Sequence, residues 1–183
     1  LTALATRNKA SSVGEGGAAS SRGAAGGGEP WWRDGLRFEC TCCGNCCSGE
    51  PGAVWFSRDE GRRMAAQLGM SEKDFLKTYA RKIGARWSLQ ERTGPAELRR
   101  GHDCALLDRE SVPGKALCRV YRDRPAQCRT WPFWDRTLAS RKAWDAAKKA
   151  APCPGMGSGP LIPAEKILES LLAERASSEG AAW

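Results

Sequence analysis

Apolar and polar positions divide the chain into short periodic pieces separated by turn residues. Ser57-Arg58-Asp59-Glu60 has the form of a capping box, and Met64, Ala65 and Leu68 follow at helical spacing as far as Gly69. A second helix opens at Ser71, with Asp74 in the place equivalent to Glu60. Phe75, Leu76, Tyr79 and Ile83 give it an apolar face, and Gly84 closes it. Arg86-Trp87-Ser88-Leu89-Gln90 alternates as a short strand does. Residues 104–107 and 116–121 are strand-like, with Ser111-Val112-Pro113-Gly114 as the turn between them. A helix is predicted from Ser140 through Lys149. Another starts at Pro163 and is expected to bury Ile167, Leu168, Leu171 and Leu172. The pattern predicts an α+β fold: a small domain with short helices and a small antiparallel sheet. A domain with so few long elements calls for an internal staple beyond its apolar core.

The first 30 residues differ from the rest. Residues 1–30 are dense in Gly, Ala and Ser and hold almost nothing to bury, so they are expected to form a disordered low-complexity leader. Beginning at Leu1, the chain reads as a fragment or a processed form. Its basic, acid-poor leader is similar to the end of an organelle transit peptide, with a plain linker as the equal alternative. Trp31, Trp32, Leu36 and Phe38 mark a change of composition. The domain is placed at residues 31–176, with 177–183 as a small-residue tail. Nowhere do about 18 strongly apolar residues run together, so no membrane span is expected. The expected location is soluble and intracellular: an organelle such as the chloroplast if residues 1–30 are a transit-peptide remnant, otherwise the cytoplasm.

Composition then narrows the chemistry. The chain has 183 residues, enough for one domain with a real core, and 41% hydrophobic with 27% charged residues is ordinary for a globular protein. The unusual counts are nine Cys against one His, eight Trp, and a net charge of +8. A single His excludes His-rich zinc enzymes and catalysis by a pair of histidines, and leaves any metal site mostly thiolate.

The cysteines carry the information. Cys40-Thr-Cys42-Cys43-Gly-Asn-Cys46-Cys47 contains C-x2-C-x2-C, made by Cys40, Cys43 and Cys46. Two residues between thiolates let a tight turn aim both sulfurs at one metal, and Gly44 can supply the positive φ of such a turn. Cys104, Cys118, Cys128 and Cys153 lie on or near expected turns and short elements. Disulfides are one reading, but the cysteine count is odd and near-adjacent cysteines pair poorly. Buried apolar cysteine is a second reading, unsuited to five within eight residues. Metal ligation is the third and the favoured one. Three cysteines and a remote fourth can hold a [4Fe–4S] cube, and eight thiolates can equally fill two zinc sites. Adjacent Cys46 and Cys47 are expected to serve two neighbouring sites, or one of them to point elsewhere. Cys42 is the spare.

The order Phe38-Glu-Cys40-x2-Cys43-Gly-Asn-Cys46-Cys47, Asp103-Cys104 and Cys118-Arg-Val-Tyr121-Arg-Asp-Arg124-Pro125-x2-Cys128-Arg129-Thr-Trp131-Pro132-Phe133 resembles the YkgJ-type cysteine-cluster family. Cys153-Pro154-Gly155-Met-Gly157 is similar to that family's downstream Cys-Pro-Gly element. The family carries a zinc- or iron-chelating label and is related to flagellin lysine N-methylases. The resemblance implies a metal-chelating module with Cys40, Cys43, Cys46, Cys47, Cys104, Cys118, Cys128 and Cys153 as ligands. It gives Cys42 no role. The methylase reaction is not carried over, because no Gly-rich loop follows a strand.

The expected function is therefore a metal-binding protein, its cofactor zinc or iron, the iron held singly or as an iron–sulfur cluster. The alternatives are an iron–sulfur redox or methyltransferase-like enzyme, and a basic zinc module binding nucleic acid or a protein partner. Scattered basic residues and the lack of a recognition motif weigh against nucleic acid. Arg119, Arg122, Arg124, Arg129 and Arg136 surround Cys118 and Cys128 in sequence, where they could donate to thiolate sulfur or form a solvated face. His102 reads as structural rather than as a ligand. Trp131-Pro132-Phe133-Trp134 is expected to shield a site, and Asp123 to pair with Arg124.

Overall fold

The computed structural model describes residues 29–93 and 101–179. Apart from Glu29 and Pro30, the expected leader lies outside the described residues, as do residues 180–183 of the expected tail. The fold is α+β, with six α-helices among the described residues interspersed among small antiparallel sheets. Among the described residues no helix is long and apolar enough to cross a membrane.

The capping box at Ser57 forms as the sequence dictates. Its hydroxyl accepts from the Glu60 N–H, Glu60 Oε2 accepts from the Ser57 N–H at 2.8 Å, and α1 (Arg58–Gln67) follows. Ser71 caps α2 (Glu72–Tyr79) with its hydroxyl alone, which accepts from the Asp74 N–H at 3.1 Å. That helix ends earlier than its periodicity predicts. From Ala80 the chain turns extended as β3 (Ala80–Ile83), which pairs antiparallel with β4 (Arg86–Leu89) around Gly84 at φ 60°. Ala80 and Leu89, directly opposite each other, are both buried, whereas Ile83 is 41% exposed. Burial of the cross-strand pair outweighs one more helical turn.

The predicted strand at 104–107 is divided. His102–Cys104 is β6, and Leu107–Asp108 is β7, which pairs with β8 (Leu117–Cys118) across the predicted turn. β6 is the middle strand of a three-stranded sheet, between β2 (Ser48–Gly49) and β5 (Glu91–Thr93). Helices α3 (Ala126–Arg129) and α4 (Asp135–Leu138) follow, then α5 (Arg141–Ala150), capped by Ser140 as predicted. Last come β9 (Met156–Ile162) and α6 (Ala164–Glu179). The domain limit set at residue 176 falls inside α6. On that helix Ile167 and Leu171 are buried, but Leu168 and Leu172 are 46% and 52% exposed. The predicted apolar face is therefore half as wide as the sequence implied.

Two cores result. One gathers Leu36, Phe133, Leu138, Trp144, Met156, Ile167 and Leu171 from the two ends of the described chain, with Cys153 among them. Phe133 stacks on Trp144 at 6.1 Å and meets Phe38 edge-on at 5.8 Å. The other gathers Phe56, Met64, Phe75, Ala80, Leu89, Leu106 and Val120 from the middle, with Cys104 and Cys118 packed against it. β1 (Leu36–Phe38) pairs antiparallel with β9 and carries the chain into the cysteine-rich turn.

Candidate metal centre

Gly44 adopts the left-handed conformation expected of such a turn, at φ 72° and ψ 2°. A Cβ there would stand 2.6 Å from Ala116 Cβ, so the position excludes larger residues on two counts. A single 3₁₀ turn, Asn45–Cys47, follows, with the Cys47 N–H donating to the Gly44 carbonyl at 3.0 Å. The turn is anchored on both sides. Asn45 Nδ2 donates to the Pro152 carbonyl at 2.6 Å, next to Cys153. Ser48 Oγ donates to Asp103 Oδ1 at 2.6 Å, next to Cys104.

Asp103 is 1% exposed, and Arg109 grips both of its oxygens at 2.8 and 2.9 Å. Hydrogen bonds from that guanidinium hold the Asp103 carboxyl below the usual range. Arg109 also reaches Ser48 Oγ at 2.7 Å. Sequence reasoning gave Ser48 and Arg109 no part. The only available signal was Asp103 beside Cys104, and its partners become visible once β2 pairs with β6.

The remaining cysteines are brought in by short elements. Pairing of Leu107 with Cys118 places β8 beside the end of the segment that holds Cys104. The Cys128 N–H donates to the Pro125 carbonyl at 2.9 Å as α3 begins. Ala116 N–H donates to the Cys42 carbonyl at 2.8 Å, closing the C-x2-C turn over the β7–β8 hairpin. Behind Cys40, the Glu39 N–H donates to the Gly155 carbonyl at 3.3 Å. A Cβ on Gly155 would stand 1.9 Å from the Glu39 oxygen, so only Gly permits this approach.

All nine cysteines are free thiols: Cys40 and Cys46 exposed, Cys153 buried, the rest half-buried. The disulfide reading is not realised. Cys46 Sγ and Cys47 Sγ lie 3.8 Å apart, so the adjacent pair faces one place rather than diverging. The hydrogen bond from Cys47 holds the Cys46 thiol down to about 7, and the same bond and burial push Cys47 well up. Burial pushes Cys104 up to about 11, and raises Cys118 and Cys128 as well. Cys47 feels the charge of Cys46, Cys128 and Cys104, and Cys118 that of Cys46 and Cys40. Thiols from four separate segments thus occupy one neighbourhood. Among the described residues no three His, Cys, Asp or Glu side chains are drawn tightly enough to enclose an ion. Cys43 lies near Arg109, and Cys153 sits in the terminal core at the far side of the Asn45–Pro152 contact. Cys42, the predicted spare, has φ 54° and interacts with Cys40.

The arginines mostly serve other partners. Arg119 donates to the Tyr79 hydroxyl at 2.7 Å, Arg136 stacks on Trp134, and Arg129 reaches the Arg124 carbonyl and Glu60. Asp123 pairs with Arg122 rather than Arg124, because Arg124 lies 3.7 Å over the Tyr121 ring. Arg124 acts on the thiols through its charge, favouring the thiolate at Cys42, Cys46, Cys118 and Cys128. In the Trp131–Trp134 run, Phe133 is core, while Trp134 meets Trp131 edge-on and forms part of a cleft wall beside Cys46, Cys47 and Cys104.

Residues 39–154 match the family model CxxCxxCC, whose description reads "Putative zinc- or iron-chelating domain". The chain belongs to the CxxCxxCC family. The matched span covers the cysteine turn, β6, β8, α3 and Cys153, and it ends at Pro154, just before the Gly155 contact with Glu39. No solved structure matches the chain. The family resemblance drawn from the sequence is thereby confirmed, and with it the coarse assignment to a metal-chelating class of domain.

Proposed function

We propose that the protein binds zinc or iron through clustered cysteine thiolates, and that Cys40, Cys43, Cys46, Cys47, Cys104, Cys118, Cys128 and Cys153 are the ligand set. The unit that carries this chemistry is residues 31–176. One observation carries the reading: Cys46 and Cys47, adjacent in sequence, hold their sulfurs 3.8 Å apart amid thiols from three other segments. Two sulfurs each about 2.3 Å from a tetrahedral ion stand about 3.8 Å apart. The donor set supports the same reading, since soft thiolate selects zinc and iron–sulfur centres over hard cations. A bound ion would supply charge to offset the crowded thiolates. The protein's own contribution is the scaffold. Gly44 sets the turn, Asp103–Arg109–Ser48 fixes β2 against β6, and Asn45–Pro152 ties in the segment of Cys153.

Binding free energy at such a centre is folding free energy. Cys43→Ser and Cys46→Ser should each lower metal content and melting temperature together, read by elemental analysis and thermal denaturation of the same samples. Full metal content with an unchanged melt in either variant would remove that residue from the ligand set.

A further inference from the structure

The last helix, α6, begins beyond the span matched by the family, which ends at residue 154, and it carries no cysteine. Ile167 and Leu171 fix it against the terminal core. Its sequence nevertheless keeps two further leucines, Leu168 and Leu172, at 46% and 52% exposure. The other large apolar side chains left this exposed among the described residues are Ile83, Val112, Tyr121 and Leu161, each in a different segment. Leu168 and Leu172 are four positions apart on a helix, so they lie one above the other on a single face.

The residues that extend this stripe are charged, and of opposite sign. Glu165 stands three positions before Leu168, and Arg175 three after Leu172; both are exposed. A spacing of three, four and three is that of heptad positions a, d, a and d. The stripe is also self-complementary about the level of Ser170. Leu168 and Leu172 are each two positions from it, and Glu165 and Arg175 each five. A second copy turned antiparallel about that level sets Leu168 against Leu172 and Glu165 against Arg175, each of them twice. A parallel copy in register would instead oppose Glu165 to Glu165 and Arg175 to Arg175. Glu169, beside the stripe, is paired with Lys166 at 2.8 Å. Arg175 meets Asp135 at 2.5 Å while its side chain stays 49% exposed.

We infer that α6 is a self-association surface, on which a second copy of the chain docks antiparallel. Leu168 and Leu172 of the two copies interleave, and a Glu165–Arg175 pair closes each end. The contact is isologous, so it stops at two chains. Four layers of one helix pair fall short of the roughly 1,200 Å² in total that stable complexes bury, so the dimer is weak, with a Kd on the order of 10–100 μM.

The test is sedimentation velocity on the purified full chain from about 5 to about 500 μM, a range that brackets such a Kd. A reductant is present, so that no disulfide between copies contributes. The mass is expected to rise across this range from that of one chain to that of two. Leu168→Glu alters both apolar layers and should weaken association about a hundredfold, and Leu172→Glu should do the same. Glu165→Arg sets guanidinium against guanidinium at both ends and should weaken it about fivefold. Ile83→Glu, the like change at an exposed apolar residue of β3, should leave it unchanged. All four positions are exposed, so melts at the lowest concentration should match the parent chain, which separates lost association from lost fold. A chain that stays monomeric to about 500 μM, one that grows past two copies, or a dimer indifferent to the α6 substitutions overturns the inference. Metal content measured on the same samples keeps this result apart from the chelation reading, since no thiol lies on the proposed surface.

Discussion

Glu60 serves several partners at once. It completes the capping box, and its Oε1 accepts from the buried Ala126 N–H at 2.7 Å, so α1 fixes where α3 and Cys128 begin. The capping box was legible because it is a local pattern; the Ala126 contact, 66 positions away, was not. Removing the carboxylate orphans a buried N–H and a cap. Glu60→Ala should therefore cost about 1–3 kcal/mol by denaturant titration. A loss below the error of that titration would mean that water replaces both bonds. Gly44 was readable for the same local reason, since a C-x2-C turn needs a left-handed residue. Asp103–Arg109 was not, because nothing in sequence shows that β2 and β6 are neighbours.

Among the elements, periodicity succeeded where burial was one-sided and continuous, as in α1 and α5 with their Ser caps. It failed at Ile83, where the helical spacing ran on but the tertiary pairing of Ala80 with Leu89 intervened. It over-counted on α6, where four apolar residues were given to the core and the structure takes two, Ile167 and Leu171. The difference is measurable. Ile167→Ala should cost about 2–5 kcal/mol, and Leu168→Ala should stay within about 0.5 kcal/mol. Equal losses would place Leu168 inside. β1 and β9 escaped notice because their pairing joins residues more than a hundred positions apart, and Gly155 explains the Cys-Pro-Gly element only once Glu39 lies against it.

Across the described residues, the thiols are divided between the two cores. Cys104 and Cys118 pack on the middle core and Cys153 belongs to the terminal one, with the 40–47 turn tied to both. Sequence alone identified the family, because spacing within the cluster is local. It did not show that the adjacent sulfurs of Cys46 and Cys47 face the same place, which depends on the 3₁₀ turn and its two anchors. An ion held by thiols of both sets would join the cores, so its loss should loosen both. The most direct test is the metal content of protein purified without oxygen, with its visible spectrum and its melt before and after a strong chelator. The account predicts stoichiometric zinc or iron, and a large fall in melting temperature when it is removed. Metal-free protein with a sharp melt that neither added zinc nor added iron shifts would contradict it.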